Sequence, residues 1–422
     1  MDERALLSDL FETAVAAADP MKALAGVLPE RPKGRTVVVA LGKGSAQLAA
    51  AFETLWEEPV EGVVVTRYGY AAPCKHLPVL EASHPVPDAA GLRATEAVFA
   101  AVEGLTEDDL VVALVCGGGS ALLPAPPAGL TLEDEQALNR ALLASGAPIS
   151  VMNAIRKHVS RIKGGRLAAA AAPAKVVSFV VSDVPGDDPA QVASGPTVPD
   201  AVGVADALRF IESRNIDLPQ SVVDHISSDA SAAPHPDDPV FARHEVHVIA
   251  SACLSLEAAA ARAEAAGVPA VILSDAIEGE AKDIGLMHAA LTREVALRGR
   301  PFKAPVILLS GGETTVTLAE NPGRGGRNTA FLLSLAEGIE GLEGITALAA
   351  DTDGIDGSED NAGAFADGDS LSRLRALGKD PASFVKAQDP YGAFDAVGDI
   401  YAPGPTGTNV NDFRAILVKP QV

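Results

Sequence analysis

Aromatic residues are scarce in this chain, and the scarcity constrains its interior. Only 4% of the 422 residues are Phe, Tyr or Trp, although 48% are hydrophobic. Its cores must be built from Ala, Val, Leu and Ile, which suits helices packed on a parallel sheet better than a sandwich. Cysteine is sparse too: Cys74, Cys116 and Cys253 stand far apart with no metal-ligand spacing. They give no disulfide framework and fit a reducing, cytoplasmic setting. No apolar run approaches the ~20 residues of a membrane span. The opening MDERALLSDL carries three charges in its first four residues and does not read as a signal peptide.

Basic residues are the minority charge, 33 Lys and Arg against 56 Asp and Glu, for a formal net charge of −23. Such a surface repels phosphodiester backbones and anionic lipid, which argues against nucleic-acid and membrane partners. A small anionic substrate would need a local basic patch. The length implies two or three domains at ~100–200 residues each.

What is present is a series of short apolar strands that end in glycine. Val111–Val115 runs into Cys116, then Gly117, Gly118, Gly119 and Ser120. Glycine permits a sharp turn and a close approach, and consecutive backbone N–H groups there can face an anion. The same glycines equally suit an empty strand-to-helix connection. Thr36–Leu41 leads likewise into Gly42, Lys43, Gly44 and Ser45, an anion-site candidate that carries its own cation. Neither turn is a standard nucleotide motif. The Walker pattern requires glycine at Val37, and the dinucleotide fingerprint requires it at Gln47 and at Leu122.

The segment 149–167 crowds Arg156, Lys157, His158, Arg161, Lys163 and Arg166 together, with Arg156, Ser160 and Lys163 expected on one helical face. In so acidic a chain it reads as the anion-attracting wall of a cleft or as a solvated helix face. Lys175–Ser182 then delivers Asp183 at a strand end, followed by Asp187 and Asp188 in a proline-rich loop. Ligands of open α/β sheets bind beyond the carboxyl ends of the strands, so Lys43, Gly117–Ser120 and Asp183 are expected to converge.

Residues 229–238 read as a linker, and Glu245–Ala250 as the strand that restarts the pattern. Further on, a strand ends at Ser310-Gly311-Gly312-Glu313. Gly325 and Gly326 precede Arg327 in an arginine-glycine turn suited to gripping phosphate or carboxylate. Asp351 and Asp353 follow another strand. Their segment is not an EF-hand loop, since Ile355, Asp356 and Ala362 occupy ligand or glycine positions, but such carboxylates suit magnesium.

The stretches CGGGSALL, MNAIRKHVSRIKGGRLA, SDVPGDDPAQVASGPT, LLSGGETTVTL, GRGGRNTAF, ADTDGIDG and GPTGTNVND occur in this order along nearly the whole chain. Together they resemble the glycerate 2-kinase family, whose members carry a C-terminal MOFRL module and are often labelled hydroxypyruvate reductase. The resemblance implies two α/β domains, the first Rossmann-like with a largely parallel sheet, and an active site in the cleft between them. It implies ATP- and Mg2+-dependent phosphorylation of the 2-hydroxyl of D-glycerate, giving 2-phospho-D-glycerate and ADP. Lys43 and Arg327 match the family's catalytic lysine and arginine.

On that reading the domains are residues 1–232 and 240–422, with the last strand free to pack back on the first. Asp183 is the expected base, with Asp187 second. Gly44, Ser45, Gly117–Ser120, Arg156, Lys163, Gly325 and Gly326 line the nucleotide and substrate sites. Glu313, Asp351 or Asp353 hold the metal. The oligomeric state stays open, a homodimer included. The competing readings are a nicotinamide-dependent hydroxypyruvate reductase, disfavoured by the incomplete fingerprints, and a non-enzymatic sensor.

Overall fold

The computed structural model describes residues 2–420. The chain divides into two units, Pro20–Ile249 and the remainder, and each is described by itself.

The first unit contains the strands β1 (Thr36–Leu41), β2 (Glu61–Arg67), β3 (Val79–Ala82), β4 (Leu110–Cys116), β5 (Lys175–Val181) and β6 (Glu245–Ala250). They lie in the order β3-β2-β1-β4-β5-β6, and the pairings from β3 through β5 are parallel. This is the doubly wound order, with its direction reversing between β1 and β4. Continuous apolar runs make these strands because both faces are covered. Val37, Val39 and Leu41 pack with the helices Ala89–Ala101 and Arg166–Ala170. Val38 and Ala40 pack on the other face with Phe52 and Trp56 of the helix Ser45–Trp56. Each fully buried Val or Leu is worth about 1.5–3 kcal/mol, so this alternation settles the sheet's place in the core. The helices Leu132–Ala144, Ile149–Arg156, Val204–Ser213 and Gln220–Ile226 form a separate small core around Leu138, Leu142, Ile155 and Val222. A capping box between Thr131 and Asp134 opens the first of them.

The second unit is mixed. Its strands are β7 (Ala270–Ser274), β8 (Gly279–Glu280), β9 (Val306–Gly312), β10 (Thr314–Thr315), β11 (Ile345–Asp351), β12 (Gly363–Asp367), β13 (Ile400–Tyr401) and β14 (Asp412–Val418). The main sheet runs β13-β12-β11-β14-β9-β7, with only β7 and β9 parallel, while β8 and β10 pair separately. The helix Glu3–Ala17 buries Leu7, Leu10 and Phe11 on one face of this sheet beside the helix Ala252–Ala265. Ala281–Arg298 and Arg327–Ile339 cover the other face.

The expected domain boundaries therefore shift. Residues 229–238 are not the division, because β6 is the sixth strand of the first sheet. The N-terminal helix packs with the second unit, and the last strand lies inside the second sheet between β11 and β9. Half-apolar strands such as EVHVIA carry no label for the sheet they will join. Among the described residues no helix is long and apolar enough to cross a membrane.

Candidate functional site

The reversal point of the first sheet brings two glycine turns together. The Lys43 N–H donates to Gly117 O at 2.8 Å, and Gly42 N–H donates to Val65 O at 3.1 Å. Gly42 has a φ of +120°, and a β-carbon there would lie 2.3 Å from Cys116 O, so the close approach of the turns requires glycine. The side chains of Lys43 and His84 both pack against Gly118. Asp183, just beyond β5, lays its carboxylate on Gly117, where a β-carbon would come 1.7 Å from Oδ2. Burial, helped by the Asp183 charge, pushes the Cys116 thiol up to about 12. Burial, then the charges of Lys43 and Arg67, pulls His84 down to about 4, so its imidazole is neutral at physiological pH. Lys43, Gly117–Gly119 and Asp183 thus converge as the sequence predicts. Arg67 joins them unanticipated; a lone arginine at a strand end carries little signal.

The loop after Asp183 is locked onto the second turn. Ala193 and Ser194 hold left-handed φ angles of 53° and 61°, costly for non-glycine residues. Ser194 Oγ donates to Asn153 Oδ1 at 2.9 Å and accepts from the Ser120 hydroxyl at 3.0 Å. Arg156 donates to the same Asn153 oxygen at 3.1 Å and to Asn139 Oδ1 at 2.9 Å. Arg156 is therefore tied through Asn153 and Ser194 to the glycine turn. Asp187 is half-buried in this loop, at a φ of +53°.

Other expected ligands have different employment. The helix carrying Arg156 ends there, and Ser160 is extended, so the single basic face does not form. Lys163 is buried, with its ammonium on Glu135 at 2.8 Å and Leu123 O at 3.3 Å. Lys157 pairs with Asp200, Arg161 with Glu96, and Arg166 donates to the carbonyls of Lys157, Lys163, Ser231 and Ala232. A basic run looks like an anion trap in one dimension; folded, most of it holds the unit together. Ser45 is buried and donates to Val65 O at 2.9 Å, while the Gly44 N–H faces the Cys116 sulfur.

In the second unit Arg327 begins a helix and sits among three carboxylates. Its Nε donates to Asp412 Oδ1 at 2.7 Å, Nη1 to Glu313 Oε1 at 2.8 Å and Nη2 to Asp351 Oδ2 at 2.7 Å. Burial alone would favour the neutral guanidine, but Asp412, Asp351 and Glu313 outweigh it and raise its pKa. Burial raises the Asp351 carboxyl well above its usual range, against the pull of Arg327. The Asp353 N–H donates to Asp351 Oδ1 at 3.0 Å.

The helix start itself is not an open anion site. Asp356 fills it, accepting from the N–H groups of Asn328 and Thr329 at 2.9 Å each, and the Gly326 N–H donates to Thr329 Oγ1 at 3.0 Å. Gly325, at a φ of +135°, packs against Pro390. Asp412 is the residue that sequence reasoning missed. The available signal was the charged pair Asp412 and Arg414 opening the otherwise apolar strand DFRAILV.

Comparison with known proteins agrees with this architecture. Residues 6–227 match a domain of unknown function, DUF4147, and residues 306–412 match the MOFRL family. An Agrobacterium vitis protein with a provisional hydroxypyruvate reductase name is 52% identical, covering 98% of this chain and 94% of its own. The D-glycerate 2-kinase of Thermotoga maritima is 39% identical, covering 98% of each chain. The crystal structure of glycerate kinase from Thermotoga maritima matches with a TM-score of 0.88 at 38% identity, covering 98% of this chain and 99% of that one. A doubly wound DUF4147 sheet followed by a MOFRL region defines a two-unit α/β protein of the glycerate kinase class. The chain belongs to the glycerate 2-kinase family.

Proposed function

We propose that this protein is an ATP-dependent glycerate 2-kinase, transferring the γ-phosphoryl group of ATP to the 2-hydroxyl of D-glycerate. The products are 2-phospho-D-glycerate and ADP. The observation that carries the reading is the grouping of Lys43, Gly118 and Asp183 at the reversal of a sheet whose glycine turns both lack the third dinucleotide glycine. A nicotinamide-dependent reductase would need that fingerprint; a kinase needs a cation, backbone donors and a carboxylate.

Phosphoryl transfer depends on positioning and charge neutralisation more than on covalent chemistry. Lys43 neutralises charge on the phosphoryl group in transit, and Arg327 does the same with a planar fork of donors. The backbone N–H groups of the Gly117–Ser120 turn hold phosphate oxygens. Asp183 accepts the hydroxyl proton, with Asp187 the second candidate. Arg156 supports the turn through Asn153 and Ser194, and the buried Lys163 and Ser45 hold the scaffold.

With Asp412 shared between Arg327 and Arg414, the carboxylates left to suit a divalent cation are Glu313 and Asp351, which face Arg327, and Asp353 beside them. Glu313, Asp351 and Asp353 would hold magnesium, which when bound with ATP neutralises phosphate charge. Cysteines in the thiol form suit a cytoplasmic enzyme.

The test is incubation with ATP, Mg2+ and D-glycerate, with the product identified by 31P NMR. A parallel assay supplies hydroxypyruvate and NADH. The expected result is 2-phosphoglycerate with equimolar ADP and no NADH oxidation. A 3-phosphate product, or NADH consumption without ADP release, would overturn the proposal.

A further inference from the structure

We infer that Asp412 is the positioning residue for Arg327, fixing the plane of its guanidinium while the exposed Glu313 remains exchangeable. This rests on the reading of Arg327 as a group that acts on the transferring phosphoryl.

The three carboxylates around Arg327 are not equivalent. The Glu313 side chain is 55% exposed, that of Asp351 7% and that of Asp412 0%. Glu313 can exchange its hydrogen bond for one to water at little cost. Asp412 cannot. Its Oδ1 accepts from Arg327 Nε at 2.7 Å and from Asn328 Nδ2 at 2.8 Å. Its Oδ2 accepts from the Thr314 N–H at 3.3 Å, the Thr314 hydroxyl at 3.4 Å and the Arg414 guanidinium. Arg414 is wholly buried as well. It donates to Gly311 O at 3.1 Å and Thr314 Oγ1 at 3.2 Å, with its guanidinium 5.1 Å from the Phe331 ring centroid.

Asp412 is thus a buried anion between two guanidiniums, gripped from β10, β14 and the helix Arg327–Ile339. In a low-dielectric setting such a pair has one stable arrangement, because leaving either charge unpaired is costly. The bond to Nε matters geometrically. Anchoring that edge sets the plane of the fork and directs the Nη1–Nη2 edge toward Asp351 and toward Glu313, the exposed partner that an incoming phosphoryl oxygen can replace. The Asp412 charge is therefore expected to govern kcat and to leave substrate affinity alone.

A double-mutant cycle tests this, with wild type, Arg327→Ala, Asp412→Asn and the combined variant assayed for kcat and for KM of ATP and glycerate. Asp412→Asn should lower kcat about 10- to 100-fold, the scale of a misdirected catalytic group, with both KM values within about threefold of wild type. Added to Arg327→Ala it should cost nothing further, because its effect passes through the guanidinium. Unchanged kcat in Asp412→Asn, a loss confined to KM, or additive losses in the double variant would each overturn the inference. Near-normal kcat in Arg327→Ala is a separate failure, since it removes the role of Arg327 itself. If Asp412→Asn does not fold by near-UV circular dichroism, Asp412→Asn with Arg414→Met removes both buried charges, and the same cycle is run from that pair.

Discussion

Gly118 and Lys43 compete for one volume: a β-carbon on Gly118 would lie 2.9 Å from Lys43 Cγ and 3.0 Å from Cε. The lysine stem crosses that glycine because nothing projects from it. Gly118→Ala should therefore displace Lys43 and lower kcat at least about tenfold. At a φ of +78° it should also cost about 1–2 kcal/mol of stability. Gly129→Ala is the matched control, with a φ of +89° and nothing within 4 Å of the added carbon. It should lose similar stability with kcat intact. Equal activity in the two variants would show that the packing of Lys43 on Gly118 does not matter.

Lys43→Ala removes a half-buried ammonium but leaves the N–H bond to Gly117 O that ties the two turns together. The expected outcome is a fall in kcat of at least about 10²-fold, as for loss of a group that stabilises transition-state charge. The melting temperature should move by less than about 3 °C, since no buried contact worth more than a fraction of a kcal/mol is lost. Steady-state kinetics and a thermal melt check both parts. Turnover near the wild-type rate would take Lys43 out of the mechanism.

Arg327→Lys is conservative in charge and not in geometry. One ammonium cannot reproduce the separate Nε, Nη1 and Nη2 contacts to Asp412, Glu313 and Asp351. Activity should fall about 10²-fold. Stability should fall by about 1–3 kcal/mol, because the buried Asp412 and Asp351 lose charged donors. Urea unfolding measures the second effect, and retention of full stability would mean that the carboxylates have found other partners.

His288 predicts how the second unit answers acid. It is buried, bonded to Ile284 O at 2.9 Å and to Ser310 Oγ at 3.0 Å, and burial lowers its pKa to about 4. The unfolded chain takes a proton near the usual 6.5 while the folded protein does not, so stability is lost as the pH falls from about 6.5 toward 4. By pH 5 this one residue should account for about 2 kcal/mol. Unfolding free energies of wild type and His288→Gln, compared at pH 7.5 and 5.0, should differ in slope by that amount. Parallel slopes would mean that His288 is protonated in the native state.

Legibility in the sequence followed the range of the interactions involved. The strands at Thr36, Leu110, Lys175 and Ile345 could be read because a continuous apolar run buried on two faces is a local property. The convergence of Lys43, Gly117–Gly119 and Asp183 was legible once strand ends were known, since a parallel sheet aligns its carboxyl ends. The basic segment misled because Glu135 and Asp200, which absorb Lys163 and Lys157, lie 28 and 43 residues away. Asp412 escaped for the same reason, 85 residues from the arginine it holds.

The sequence by itself determined the repeating strand, glycine turn and helix, and the motifs that mark the glycerate 2-kinase family, because these reside in short contiguous stretches. Tertiary structure alone decided which cations stay available and which are bonded into the scaffold. It also decided which sheet takes β6 and β14, and that one buried carboxylate stands between Arg327 and Arg414. Charge pairing in a low-dielectric interior depends on distances of a few ångströms, and only the folded chain sets those.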